Sequence, residues 1–510
     1  MAFPKAQREA SQANFADVKN NYDAVVFIAD IRKVSHPQLR SLLTEYRKID
    51  ARVDSEALLI TDSDMPGNRL ISSATGPLDR YYDDVRRFYD AGRKAANIVK
   101  QSGARRPLLV VEAPNDKRYQ LAAEVCYLGM TQALWQPLEA RESLSEQDIE
   151  PVECIGVMSD VDVDWLNAAE SGLRVARDLC GTEPERMSPP NFALYCQEAF
   201  RDTKVSVQVM VSQEEIEQEY PLLYSVARAS KNVERHHARI ITLKYECEGP
   251  IKHRLYLAGK GITYDTGGAD LKTGGHMAGM SRDKGGAASV AGFMKMLAEL
   301  QPSGLKVVAE IGAVRNSLGS EAFVADEIIT SRAGVRVRIG NTDAEGRLLL
   351  ADVLTHLSEL AKGESEAQFF SVATLTGHAA RAVGPYTALV ENGKAREHGV
   401  TAKLVSSGDA IGDPAEASRS RREDYDFVRP RTSADDILSS NNAASAVTAR
   451  GHQFPMAFLH MASGLDKCDV AYTHVDIAGS GVEGGDWQHG KPTGASVLML
   501  ANHYIPLRKG

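Results

Sequence analysis

Arg254-Leu255-Tyr256-Leu257-Ala258 alternates in the manner of a β-strand and runs into Gly259-Lys260-Gly261-Ile262-Thr263-Tyr264-Asp265-Thr266-Gly267-Gly268. The expectation is a strand that delivers Lys260 into a glycine-rich turn. Two further pieces of the same kind follow, Ser281-Arg282-Asp283-Lys284-Gly285-Gly286 and Asn341-Thr342-Asp343-Ala344-Glu345-Gly346-Arg347. Between them a helix is expected from just after Asp283 to about Pro302, then strands over Lys306 to Ile311 and Val335 to Ile339. Charged side chains thus recur beside glycines at element ends. In an open α/β sheet that edge is where ligands sit.

The upstream sequence alternates in the same way. Ala24 to Ile28, Ala57 to Ile60, Pro107 to Val111 and Val152 to Met158 read as strands, and Asp83 to Lys100, Tyr119 to Leu134 and Asp164 to Cys180 have helical apolar spacing. The breaker Gly181-Thr182-Glu183-Pro184-Glu185-Arg186-Met187-Ser188-Pro189-Pro190 follows, and the chain resumes with a helix at Phe192 to Thr203 and strands near Val205 to Val211 and Ala238 to Tyr245. The fold class expected is α/β with two domains, each a mixed or largely parallel sheet flanked by helices. Residues 1–180 form the first, ending in a linker helix, and residues 181–510 form the second.

Composition narrows the function. The 510 residues are 43% hydrophobic and 25% charged, an ordinary globular balance. A net charge of -9 and a pI near 5.9 give no electrostatic footprint for nucleic acid or an anionic membrane. No apolar run approaches the length of a membrane span. Met1 to Asn20 lacks the apolar centre of a secretory signal, and six dispersed cysteines without a CxxC pair read as thiols of a reducing compartment, the cytoplasm.

Asp265, Asp283, Asp343 and Glu345 are four carboxylates at element ends, two of them only two residues apart. Gathered in one cleft they would repel and raise one another's pKa, so they need cations, and a pair of divalent metals would supply them. Oxygen-rich ligation suits zinc, manganese, magnesium or cobalt. Such a pair can share an activated water and clamp a carbonyl oxygen. Lys260 could coordinate only as a neutral amine, which requires burial beside cations. Lys272 and Arg347 would stay charged and stabilise an anion. A single Asp or Glu beside glycine is ordinarily a turn residue or a helix cap. The joint occurrence, above all Asn-Thr-Asp-Ala-Glu-Gly-Arg, points to a site.

These pieces, with Ala373-Thr374-Leu375-Thr376-Gly377, Ser433 to Asn441 and His474-Val475-Asp476-Ile477-Ala478-Gly479, resemble the signature of the cytosolic leucyl aminopeptidase family, over about half the chain from Leu255 onward. The resemblance implies a C-terminal di-metal exopeptidase domain that removes N-terminal residues, leucine-like ones preferred, from peptides. It implies that Lys260, Asp265, Asp283 and Glu345 hold one metal and that Asp265, Asp343 and Glu345 hold the other, zinc or manganese first and cobalt or magnesium next. Lys272 would polarise the scissile carbonyl, and Arg347 would hold a bicarbonate acting as general base toward a metal-bridging hydroxide. Met280 would line the pocket for the first side chain, and Thr374, Leu375, Thr376 and Gly377 the substrate cleft. A homohexamer of two stacked trimers is implied, with peptides as partners; the lack of an apolar span argues against a membrane, and a nucleic-acid-binding regulator, a side role of some members of the family, is an alternative against which the acidic balance argues.

The chain departs from the family pattern at Lys284, Arg338 and His378, where an apolar residue, an acid and alanine are common. An extra cation at Lys284 would tune metal affinity. These departures motivate an alternative, a catalytically weakened paralogue acting as a structural or scaffolding oligomer. His276 and His378 could both reach the cleft, and no protein nucleophile is needed.

Overall fold

The structure is a computed structural model that describes residues 3–10, 14–443, 447–484 and 486–508. Its chain divides into two units. One comprises Met1–Ser171 with Ser407–Asp413 and Pro506–Gly510, the other Gly172–Ser406 with Pro414–Ile505. The division falls inside the helix Val163–Gly181, ahead of the proline-rich breaker.

The first unit is built on six strands, β1 (Lys5–Glu9), β2 (Ala24–Ala29), β3 (Ala57–Thr61), β4 (Arg69–Ala74), β5 (Pro107–Val111) and β6 (Cys154–Met158), in the order β1-β6-β5-β2-β4-β3. All neighbours are parallel except β3 with β4. Every residue of β2 is buried, as a central parallel strand covered on both faces requires. The helix Arg86–Ser102 stops at Gly103, whose left-handed backbone lets its N–H reach the Val99 and Lys100 carbonyls.

The second unit carries β7 (Ser206–Met210), β8 (Arg239–Glu246), β9 (His253–Asp265), β10 (Leu305–Asn316), β11 (Ile328–Thr330), β12 (Arg336–Arg338), β13 (Ala367–Ala373), β14 (Thr387–Glu391), β15 (Ala415–Arg419), β16 (Ile437–Leu438) and β17 (Ala471–Asp476). Eight of them form one mixed sheet in the order β15-β14-β17-β13-β9-β10-β8-β7, and β11, β12 and β16 form a small one. The four central strands β17, β13, β9 and β10 are parallel. They therefore end on the same edge, and Asp265, Thr374 and Asp476 lie there.

One expectation is corrected here. Lys260 does not sit in a turn, because β9 runs unbroken to Asp265 with Lys260 opposite Gly312. The glycines around it are there for packing. A Cβ on Gly259 would lie 2.8 Å from the Ala287 Cα, and one on Gly261 would lie 2.5 Å from the Gly312 oxygen. The helix Gly285–Leu300 rests on this strand, and a Cβ on Gly286 would come within 2.0 Å of the Val372 carbonyl oxygen in β13. Its glycine-alanine opening is what lets backbone meet backbone.

The β1 and β4 strands had no reading in the sequence. Lys5-Ala6-Gln7-Arg8-Glu9 is mostly polar, as an edge strand can be. Among the described residues no helix is long and apolar enough to cross a membrane. The six cysteines are free; four are buried, Cys247 is half-buried and Cys468 is exposed.

Glu124, buried in the helix Ala122–Leu134, titrates near 7, because burial disfavours its charged form and Asp160 and Asp162 add repulsion. A folded-state pKa raised in this way contributes stability that is fully present below the unfolded value near 4.5 and lost as the pH rises through about 7. Glu124→Gln should therefore leave the thermal midpoint nearly unchanged at pH 4.5. At pH 8 it should stabilise the protein by roughly 1–3 kcal/mol, read by calorimetry across that range.

Candidate metal centre

At the carboxyl edge of β9 and β13 lies a cavity of about 380 Å³. It is lined by the twelve residues expected to bind metal, substrate or a reacting group, namely Lys260, Asp265, Lys272, Met280, Asp283, Asp343, Glu345, Arg347, Thr374, Leu375, Thr376 and Gly377. They reach it from five directions. Lys260 and Asp265 come from β9, Asp283 from the turn before the helix Gly285–Leu300, and Glu345 and Arg347 from the start of the helix Gly346–Leu360. Thr374 to Gly377 follow β13, and Lys272 comes from the loop after β9.

The electrostatics are those of crowded carboxylates with too few partners. Lys260 Nζ lies 2.8 Å from Asp283 Oδ1 and 3.0 Å from Glu345 Oε1, and Lys272 Nζ lies 2.9 Å from Asp265 Oδ2 and against Asp343. Four carboxylates thus face two ammonium groups. Burial pushes Asp283 up to about 6 and Glu345 up to about 8, the neighbouring Asp265 contributing to both, and it raises Asp343 as well. Burial alone would lower both lysines. The carboxylates around them outweigh it, and both are held above the usual lysine range.

Three of the acids, Asp265, Asp283 and Glu345, each offer an oxygen within 4.8 Å of the others. Asp283 Oδ2 and Glu345 Oε2 are buried with no donor, and Glu345 Oε1 has only the Lys260 ammonium beside it, outside hydrogen-bond geometry. A buried carboxylate oxygen without a donor is costly, and hard divalent cations satisfy it. The donor set fits such ions, with Lys260, Asp265, Asp283, Asp343 and Glu345 as the groups that could hold them.

Several positioning residues were not read from the sequence. Asn316 closes β10 in register with Asp265 and donates to Asp265 Oδ1 at 2.8 Å, where the Gly267 N–H also donates at 2.9 Å. Thr342 and Asp270 bond reciprocally: the Thr342 N–H donates to Asp270 Oδ2 at 2.8 Å, and the Asp270 N–H donates to Thr342 Oγ1 at 2.7 Å. Asp476, fully buried at the end of β17, accepts the Leu375 N–H at 3.1 Å and the Thr376 hydroxyl at 2.7 Å, which fixes the cleft wall. Thr374 Oγ1 donates to Asp283 Oδ1 at 2.8 Å. An Asn at a strand end carries no special sequence signal, and Asp476, though it stands in one of the pieces that carry the resemblance, shows no role until its strand is placed beside β13.

Arg347 is buried, donates from Nη1 to the Ser439 carbonyl at 2.8 Å and sits 5.2 Å from the Phe454 ring centre. Burial brings its guanidinium down to about 10. Its Nε faces no acceptor, so it retains a donor for an anion.

The departures resolve differently. Lys284 is fully buried, but its ammonium turns to the Thr182 carbonyl at 2.9 Å and to the Ser281 carbonyl, while Arg282 reaches the Gly181 carbonyl at 2.8 Å. These cations bind the Asp283 turn to the end of the helix Val163–Gly181. Arg338 pairs with Asp435 at 2.5 Å. His378 does line the cavity, whereas His276 is exposed and does not.

A model of the cytosol aminopeptidase family catalytic domain matches residues 174–501, beginning well upstream of the charged pieces. A Caenorhabditis elegans protein named as a candidate aminopeptidase, W07G4.4, is 40% identical over 437 residues, 84% of this chain and 83% of that one. A probable cytosol aminopeptidase of Roseiflexus castenholzii is 28% identical over 452 residues, 86% of each chain. Among solved structures, the bottromycin maturation enzyme BotP in complex with Mn is similar in fold, with a TM-score of 0.75 at 22% identity over 94% of this chain and 98% of that chain.

A Cβ on Gly346 would lie 2.4 Å from Lys260 Cε and 2.7 Å from its Nζ. Alanine is otherwise the better helix former at this first helical position. Gly346→Ala should therefore keep the fold, displace Lys260 and lower divalent-metal affinity by about tenfold or more, measured by isothermal titration.

Proposed function

Because the chain belongs to the cytosol aminopeptidase family and is thereby a metal-dependent aminopeptidase, we propose that it releases N-terminal amino acids, leucine-like ones preferred, through two divalent ions in this cluster. The observation that carries the reading is three buried carboxylates, Asp265, Asp283 and Glu345, with Asp343 at their exposed side, whose charge two lysines only partly balance, and Asp283 Oδ2 and Glu345 Oε2 lack any donor. Asp265, Asp283, Glu345 and Lys260 would hold one ion, and Asp265, Asp343 and Glu345 the other, zinc or manganese first and cobalt or magnesium next. When bound, such ions supply the Lewis acidity that polarises a peptide carbonyl and activates water, and an anchor for a free α-amine.

The chain's own groups do the rest. Lys260 can serve as a ligand only once added positive charge replaces its own and it gives up its proton, since the acids around it otherwise keep it charged. Lys272 stays an ammonium at the cavity wall and stabilises negative charge developing on the scissile carbonyl oxygen. Arg347, with its free Nε, would hold a bicarbonate, which would supply a general base beside the cavity. Met280 would bound the pocket for the first side chain. Thr374, Leu375, Thr376 and Gly377, held by Asp476, would orient the peptide backbone.

The active domain would be residues 181–510, working in the cytoplasm as a homohexamer, with the N-terminal domain supporting assembly. The orientation of Lys284 and Arg338 toward other partners removes much of the motive for a weakened scaffolding paralogue.

Metal-stripped protein should regain hydrolysis of a leucine chromogenic amide when zinc, manganese, cobalt or magnesium is added. Asp343→Ala and Lys272→Ala should each cost at least about a hundredfold in kcat/KM. Protein that binds two ions per chain yet frees no N-terminal residue from a broad peptide panel would overturn the reading.

A further inference from the structure

A second cavity, of about 450 Å³, lies at the other end of the strands that carry the metal centre. His253 is the first residue of β9 and Asp265 its last, so the seven steps from His253 to Lys260 separate the two sites by about 23 Å. Gln368, near the start of the parallel neighbour β13, also lines it.

Its walls are basic in a chain that is acidic as a whole. Lys252, His253, His398, Lys403 and His503 converge on it, against a single carboxylate, Glu366. Lys403 Nζ donates to the His398 carbonyl at 3.0 Å, and among the described residues neither Lys403 nor Lys252 has a carboxylate partner. Val400, also in the lining, is the first residue of the twelve-residue helix Val400–Ile411. The opening amides of a helix lack intrahelical acceptors and carry its positive end. Here ammonium groups without carboxylate partners, imidazoles and a helix start face one space.

We propose that this cavity is a binding site for a small phosphorylated molecule, separate from the catalytic centre. A phosphate dianion matches lysines with open donors and a helix start. The volume leaves room for an organic group beside it. The inference rests on this cavity alone and stands whatever the peptidase assay returns.

The histidines report on occupancy. Burial holds His253 and His503 below the ordinary imidazole range; Lys403 and Lys252 add to this at His253, and His253 and Lys403 at His503, with Glu366 acting in the opposite sense at His253. An anion among them favours their protonated forms, so it should raise both. The full-length magnesium-loaded protein, labelled at histidine, is titrated by NMR with inorganic phosphate or with chloride at matched ionic strength. His253→Gln and His503→Gln assign the two resonances.

The expected result is that phosphate, unlike chloride, raises both pKa values by at least about half a unit. The rise should vanish in Lys252→Gln/Lys403→Gln, whose aminopeptidase activity should be unchanged. Equal titration in phosphate and chloride would overturn the proposal. So would a rise that survives in the double variant.

Discussion

Four carboxylates brought together at one edge of a sheet, three of them buried, are the constraint on which the rest of this structure depends. Such a group is stable only if positive charge enters with it. Lys260 and Lys272 provide part of that charge from within the chain, and divalent cations are the complement the remaining oxygens ask for. The sheet's parallel centre, the glycines and the hydrogen-bonded loops all serve to bring side chains distant in sequence to that one place.

The parallel order β17-β13-β9-β10 does the gross positioning, because parallel strands present the same end together. Fine positioning comes from contacts that tolerate little change. Gly286 and Gly259 let a helix lie against two strands at backbone distance, and Gly346 leaves room for the Lys260 stem. Asn316, Thr342, Asp270 and Asp476 then spend their hydrogen bonds on the ligands or on the backbone beside them.

Much of this was legible in the sequence because chemistry and chain direction coincide there. Asp265, Asp283, Asp343 and Glu345 stand near glycines at element ends, Lys260 stands between glycines, and all line one cavity. Strands such as Ala24–Ala29 and Pro107–Val111 were legible from unbroken apolar runs. What escaped depends on partners far away in sequence. Lys260 was expected in a turn because glycines normally mark one, whereas here they mark close packing within a long strand. Lys284 suggested a cation beside the metals, but nothing local shows that the Thr182 carbonyl would claim its ammonium. Asn316 and Asp476 are ordinary until their strands are placed in register.

The segment between Lys272 and Met280 joins two parts of the site, and it is held at both ends. The Lys272 N–H donates to the Thr266 carbonyl at 2.9 Å, the Tyr264 hydroxyl reaches the Met277 carbonyl at 3.2 Å, and Arg282 and Lys284 grip the end of a neighbouring helix. Between those anchors Thr273-Gly274-Gly275-His276 is exposed. The bridge carries its own constraint: Gly274 and Gly275 both hold left-handed backbone, so the path of the chain from Lys272 to Met280 depends on two residues that touch no ligand oxygen but fix where the loop turns.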